Sequence, residues 1–557
     1  MRPTFEPRPQ IAWNGLGLEP SVPLRSLEDA AWLAGLGLAV GLGGAWWWSG
    51  HPPLWDAIRM FSTRAALLHA GLPAGLLAAL LGGLGLISPH RRLRHVAGPR
   101  LHEGRMGVRA AQTWARRSGG GVGHISLAPG LPLPPDLWQR HALVYGGVGS
   151  GKTQILAHVV RQIAATRTRA LLLDSKGDWT SLLPTAALIC PWDARSVAWD
   201  LSRDVATGPQ AAAFAQAMIP ESDPRNRFWV ESSRAILEGC LRVLVARAQP
   251  WGWSALHDLL RSDAETLRRR IGPTHPQALQ VLTGSDNTVG TVLASLAADT
   301  RLVDVCAAAW VGEAPRWSVR DWLRAQTALP RAVVIQAGPD GTVSRTLAGL
   351  IITLASARLL DAATPESPHA TRLWMVLDEL AAAGRIGDLP ALFERGRSKG
   401  IAVLAGLQAI EQIESIYGRE TASALLSMVG CHVVTQCGGG PTRDRIADLI
   451  GRRRVVVPTV QQQGNGRASY GLHEETRALV IPGQLGVCLG PWRQGRRAWI
   501  RALVLPTGAD AMVLDWPVVP LAVHRVARRT AAWTRRPQKT APPVSAPPLD
   551  FHDVIDR

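Results

Sequence analysis

Lysine is almost missing from this sequence. The 557 residues contain four lysines, Lys152, Lys176, Lys399 and Lys539, so nearly all of the 61 basic side chains are arginine. Where arginine is used this freely, a retained lysine points to a place where a compact ammonium is needed and a planar guanidinium does not fit. Three of the four fall in patterned stretches: Lys152 in "GVGSGKT", Lys176 in "DSKGD" and Lys399 in "RGRSKG". Cysteine is sparse and unpatterned. Cys190, Cys240, Cys306, Cys431, Cys437 and Cys488 include no C-x-x-C pair and no histidine at zinc-like spacing, and most sit in apolar runs. Nothing here supports a disulfide framework or a zinc site, which suits a main body kept in the cytoplasm. Acidic residues are outnumbered, 43 against 61, for a formal charge of +18. That excess suits a polyanionic partner, nucleic acid or an anionic membrane face, although a composition rich in Ala, Gly, Trp and Arg can drift to the same number.

Two stretches lack charge altogether. Residues 31–49, "AWLAGLGLAVGLGGAWWWS", and 65–88, "AALLHAGLPAGLLAALLGGLGLIS", are each long enough to cross a hydrocarbon core of about 30 Å. Trp46, Trp47 and Trp48 would lie at the interface, and "HRRLRH" after the second stretch should stay in the cytoplasm. The expectation is a transmembrane hairpin in the bacterial inner membrane with both termini cytoplasmic. A cleaved signal peptide is not expected, because a mostly polar stretch comes first and a second span follows.

The chemistry begins at "VYGGVGSGKTQIL", residues 144–156. An apolar run turns through glycines and continues into a helical pattern, the strand, loop, helix order of a phosphate-binding loop, Gly146-x4-Gly151-Lys152-Thr153. Gly146, Gly149, Ser150 and Gly151 would let backbone N–H groups curl around a phosphate at a helix N-terminus. Lys152 would reach the β- and γ-phosphates of ATP, and the Thr153 hydroxyl would hold Mg²⁺. A second motif follows in "RLWMVLDEL", where four apolar residues end at Asp378 and Glu379. Asp378 would bind Mg²⁺ through water and Glu379 would orient the attacking water. Asp174, at the end of "RALLLD", is the rival for the metal role, but it has no adjacent acid.

Further along, "LPALFERGRSKG" reads as a helix carrying Arg395, Arg397 and Lys399, and "IAVLAGLQ" as a strand ending at Gln408. Gln408 lies where it could sense the γ-phosphate. An arginine of the preceding helix could reach a neighbouring subunit's nucleotide, or these arginines could form a solvated or DNA-facing surface. Residues 208–312 change character, with helical periodicity and few strand signals, as an all-helical insertion in an α/β domain would.

In that order the motifs resemble the type IV secretion coupling proteins of conjugation, of the TraD/TraG kind. The resemblance runs from the two apolar stretches to about residue 505, through "LPLPPDLWQRHALVYGGVGSGKT", "LLLDSKGDW", "CPWDARSVAWDL", "RFWVESSRAIL" and "LDELAAAGRIGDLPALFERGRSKGIAVLAGLQ". It implies a membrane-anchored homohexameric ATPase with a RecA-like P-loop motor and an all-α domain. Such a protein carries relaxase-bound single-stranded DNA, and sometimes protein substrates, to components of the secretion channel. By motif position Arg397 matches the family's arginine finger and Gln408 its motor-coupling glutamine. One departure is the Ala-rich "LAAAGRIGD" after the acidic pair, where the family often carries bulkier residues.

The expected organisation is a cytoplasmic segment 1–30, the membrane hairpin 31–95, a nucleotide-binding domain in two parts (96–207 and 313–505), the all-α insertion 208–312, and a C-terminal extension 506–557. The tail from about 533 is Pro-rich and read as disordered. Protein-effector export without DNA and a chromosome-segregation motor are the competing functions. An ABC-type pump is disfavoured, since no LSGGQ-like signature lies between the phosphate loop and the acidic pair.

Overall fold

The apolar runs around the phosphate loop need burial on both faces, and they obtain it as seven parallel strands. In a computed structural model, which describes residues 94–535 except 221–223, 248, 313–314, 325–329 and 463–467, these strands are β1 (Ala142–Tyr145), β2 (Arg169–Asp174), β3 (Ala187–Ile189), β4 (Ala332–Gln336), β5 (Leu373–Leu377), β6 (Ile401–Leu407) and β7 (Cys431–Val434). Both expected membrane spans, residues 31–49 and 65–88, lie outside the described residues. The strand order is β7-β1-β6-β5-β2-β4-β3, every neighbouring pair parallel. One strand, β6, therefore separates the strand that leads into the phosphate loop from the one that ends at the acidic pair. Every residue of β1, β5, β6 and β7 is buried.

The described residues fall into two compact units, residues 111–435 with 514–535, and residues 94–110 with 436–513. The parallel strands belong to the larger unit. Its helices include α1 (Lys152–Ala164), α2 (Arg227–Ala246), α3 (Gly341–Leu360) and α4 (Leu389–Arg395). From Gly208 to Ala309 the described residues form helices and no strand. Within that region α2 buries Ile236, Leu237, Cys240, Leu241 and Leu244, a stripe at the three- and four-residue spacing of an amphipathic helix. Asp263 and Ser285 cap the helices that follow them, each accepting a backbone N–H three residues on. Among the described residues only α3 is long and apolar enough to cross a membrane, and its Val343, Leu347, Leu350, Ile351 and Leu354 are buried inside the protein.

In the smaller unit, Arg94–Ala97, Arg452–Gln462 and Ala468–Ala478 form an antiparallel sheet. A hairpin of Gly490–Gln494 with Arg497–Pro506 sets Trp492 opposite Trp499, ring centroids 6.3 Å apart, with the Arg501 guanidinium over Trp492. The stretch expected as the second nucleotide-binding part, 313–505, is thus divided, with residues 436–505 in this unit.

One local expectation is corrected. α4 ends at Arg395, and Arg397 and Lys399 lie in turns beyond it. The cause is glycine: Gly396 caps the helix and Gly400 takes a φ of 78°, so the chain reverses into β6 instead of continuing the helix.

Candidate functional site

β1 delivers the chain into the loop at the C-terminal edge of the sheet, where open α/β folds build their ligand sites. Gly149 and Gly151 take φ values of 74° and 98°, left-handed conformations that bend the loop back into α1. Gly146 is required by crowding: a Cβ there would collide with Thr435 Oγ1 and Ser150 Oγ. Ser150 is buried, its Oγ 2.8 Å from Thr435 Oγ1, which itself donates to the Tyr145 carbonyl at 2.7 Å. Thr435, just beyond β7, therefore stiffens the loop from behind. No side chain caps the N-terminus of α1, which begins at Lys152 and Thr153. Its first N–H groups and its positive dipole end are aimed at the loop. The Lys152 ammonium donates to the carbonyl oxygens of Gly146 at 2.5 Å and Gly147 at 3.0 Å.

Two strands away, β5 ends at Leu377 and presents Asp378 and Glu379 at the same edge. Asp378 is buried, and burial pushes its carboxyl up to about 6 against the pull of Lys176 and, more weakly, Lys152. Glu379 is also raised, first by burial, against the pull of Lys152 and the hydrogen bonding of Gln408. The Gln408 backbone N–H lies 3.4 Å from Glu379 Oε1, while Glu379 Oε2 is buried without a partner. An orphaned carboxylate oxygen facing the field of Lys152 is an expensive arrangement for a purely structural group. Lys152, Asp378, Glu379 and Gln408 thus occupy one edge of one sheet, Gln408 directly following the last residue of the intervening strand.

Asp174 sits beside Asp378, since Leu173 pairs with Leu377 and the Asp378 N–H donates to the Leu173 carbonyl at 3.4 Å. Its oxygens are taken. Oδ1 accepts the N–H groups of Lys176 and Gly177, and Oδ2 accepts both the N–H and the hydroxyl of Thr180 at 2.7 Å. Asp174 is occupied in shaping the 175–180 turn, and the adjacent pair is left to face the phosphate loop.

Arg397 is exposed before the first residue of β6, at the strand end opposite Gln408. Seven residues of strand set the two about 20 Å apart. Within the chain Arg397 is not brought to the site. Two contributors escaped the sequence reading. Thr435 carries no motif, and Lys176 stands out in the sequence by its rarity alone. The latter is the largest attractive charge on Asp378.

A family profile described as the type IV secretion-system coupling protein DNA-binding domain matches residues 125–488. The chain belongs to the type IV secretion-system coupling proteins. Coupling protein TraD of Escherichia coli (strain K12) is 22% identical over 335 residues, 59% of this chain and 46% of TraD, so the chain spans about half the length of that relative. Among solved structures, the bacterial conjugative coupling protein TrwB (TrwBdeltaN70, unbound monoclinic form) is 21% identical with a TM-score of 0.65, over 78% of this chain and 96% of that one. Plasmid coupling protein TrwB in complex with ADP and Mg²⁺ is 19% identical with a TM-score of 0.64, over 79% and 98% of the two chains. At these identities the likeness establishes a fold: this coupling protein shares the α/β, RecA-like architecture with a helical domain.

Proposed function

We propose that this coupling protein is a membrane-anchored ATPase that drives single-stranded DNA, with its attached relaxase, into a type IV secretion channel, working as a homohexamer at the bacterial inner membrane. The observation that carries the reading is the shared edge where Lys152 acts on Asp378 and Glu379 while Glu379 Oε2 stays buried and unpartnered. The residues fit Mg²⁺-bound ATP. Glycines at 146, 149 and 151 let the loop bend back onto the N-terminus of α1, which no side chain caps, a shape suited to cradling phosphates, as the TrwB structures with ADP and Mg²⁺ and with an ATP analogue also suggest by analogy. When bound, Mg²⁺ would neutralise charge on the phosphates, held by Thr153 and, through water, by Asp378.

The rest is supplied by the chain. Lys152 exchanges the carbonyl oxygens of Gly146 and Gly147 for phosphate oxygens. Glu379, raised by its own desolvation, orients water and accepts its proton. Gln408, whose backbone N–H reaches Glu379, reports the state of the phosphate edge to β6. Arg397, too far from its own Gln408, would complete a neighbouring subunit's site across the interface and stabilise transition-state charge. The formal charge of +18 suits a non-specific grip on a phosphate backbone.

The test is ATP turnover of the full-length protein in detergent, with and without single-stranded DNA, over a salt series. Stimulation that fades steeply with salt is expected. Turnover indifferent to DNA at every protein concentration would overturn the DNA assignment.

A further inference from the structure

Residues 518–535 contain one short helical turn, Ala532–Thr534, and otherwise no helix or strand, yet they are tied down along their length. At the near end Arg161 of α1 donates to the carbonyls of Val519 and Pro520, and the Val519 N–H donates to Gln154 Oε1 on the same helix. In the middle the His524 N–H donates to the Ser181 carbonyl at 3.0 Å, and Arg525 Nε donates to that of Thr180 at 2.6 Å. Arg195 donates to the Val526 carbonyl at 2.8 Å. At the far end the Arg529 N–H reaches Asp193 Oδ2, and Trp533 Nε1 reaches the Pro191 carbonyl. The segment is a strap from the phosphate-loop helix to the turns that follow β2 and β3.

Its centre enters a buried relay. Gln336, the last residue of β4, is 2% exposed; its Nε2 donates to the Ala527 carbonyl at 2.7 Å and to Thr180 Oγ1 at 3.1 Å. The Thr180 hydroxyl donates a hydrogen bond to Asp174 Oδ2, and Asp174 Oδ1 accepts the N–H groups of Lys176 and Gly177. The strap presses on this turn so closely that a Cβ at Gly177, whose φ is 96°, would stand 2.8 Å from Ala527 Cβ. The turn so held lies beside Asp378. It carries the Lys176 ammonium, for which no hydrogen bond or ion pair is found among the described residues, and the buried Ser175 hydroxyl, also unpartnered.

We infer that the strap is part of the positioning machinery of the nucleotide site. Through Ala527, Gln336, Thr180 and Asp174 it clamps the 175–178 turn, and with it Lys176, against the Asp378–Glu379 edge. This rests on the proposed ATPase. Gln336 and Arg525 are positioning residues that act through Thr180 and Asp174, and Lys176 is the charge they aim. The free ammonium and free hydroxyl then serve the anionic phosphate end, while the P-loop binds the rest of the nucleotide without their help.

The experiment uses full-length protein and the variants Arg525→Ala and Gln336→Leu, with Val523→Ser, an exposed strap position, as control. Hydrogen exchange of backbone amides at 175–181 should quicken about tenfold in both variants and stay unchanged at 146–153. ATP turnover should fall about tenfold in kcat with KM for ATP within about twofold, because ground-state binding is retained. Lys176→Met should reproduce the kcat loss without the exchange change, and Lys176→Arg should recover part of it. Unchanged exchange at 175–181 in both variants overturns the inference, as does loosened exchange with kcat intact. A wild-type protein that hydrolyses no ATP, yet shows the exchange changes, overturns the ATPase and leaves the clamp standing.

Discussion

Gly406 offers the sharpest probe of the acidic edge, because its bare Cα leaves the room that the Asp378 backbone occupies. It pairs with Val144 of β1 on one side of β6, and on the other a Cβ would run into the carbonyl oxygen of Asp378. The same Cβ would meet Leu156 Cδ1 at 3.7 Å, ordinary contact, so the whole conflict falls on Asp378. That residue cannot yield freely, since its N–H is bonded to the Leu173 carbonyl at 3.4 Å. Restoring van der Waals separation in Gly406→Ala takes a backbone shift on the order of an ångström. Overpacking of this kind costs about 1–3 kcal/mol, which a folded domain tolerates. Misplacing a catalytic group by about 1 Å costs on the order of 10²-fold in rate. Gly406→Ala should therefore melt a few degrees lower and keep its affinity for a fluorescent ATP analogue within about threefold, while losing about 10²-fold in turnover. The assay is steady-state phosphate release by the full-length protein, paired with circular-dichroism melting. Wild-type turnover in the folded variant would refute the reasoning, since Asp378 would then have no fixed place in catalysis.

Other perturbations separate the remaining parts of the site. Lys152→Ala should lose nucleotide affinity and turnover together, read by analogue titration; retained DNA transfer by that variant in a mating assay would count against the motor. Glu379→Gln should hold nucleotide but turn over at least about 10²-fold more slowly, seen as a stable bound analogue with no phosphate release. Arg397→Ala and Lys152→Ala, each inactive alone, should regain about a quarter of wild-type turnover when mixed before assembly, because composite interfaces pair an intact loop with an intact arginine; no recovery in mixed rings would remove the finger role.

Acid should weaken the larger unit through two buried histidines. His141 Nδ1 accepts the Val403 N–H and Nε2 lies 3.2 Å from the Phe393 carbonyl, so a proton on Nδ1 would face a donor, and burial holds the ring down to about 4. His432, 2.8 Å from the Tyr145 hydroxyl, is likewise held to about 4. Between an ordinary 6.5 and about 4 the unfolded chain binds the proton and the folded one does not, so the stabilisation is full above 6.5 and is lost as pH falls. At pH 5 each contributes a loss of about 2 kcal/mol. The denaturant midpoint of His141→Gln should fall less steeply with pH than that of wild type; parallel pH profiles would refute it.

What could be read from the sequence is what the chain writes locally. The phosphate loop is one continuous turn, and its glycines, lysine and threonine are all within eight residues, so pattern and geometry coincide. The acidic pair was legible for a similar reason: a buried apolar run ends in two adjacent carboxylates, and the rival Asp174 lacks a second. The structure supplies a stronger reason for setting Asp174 aside, because its oxygens are spent on the N–H groups of its own turn and on Thr180. The α4 misreading was also local, a helix carried past Arg395 through Gly396 to Gly400, where the two glycines end it and turn the chain. The rest could not be read at all. Thr435 reaches Ser150 across 285 positions of sequence, and Gln336 reaches Ala527 across 191. Neither pair leaves a spacing, since each is made by strand order and by a strap that has no periodicity of its own. The division has a mechanical consequence. Residues of the proposed phosphate loop are placed by short-range geometry, which tolerates little variation, whereas residues that set the angle of the acidic edge hang on long-range contacts. Turnover should therefore be more sensitive than nucleotide affinity to substitutions far from the loop.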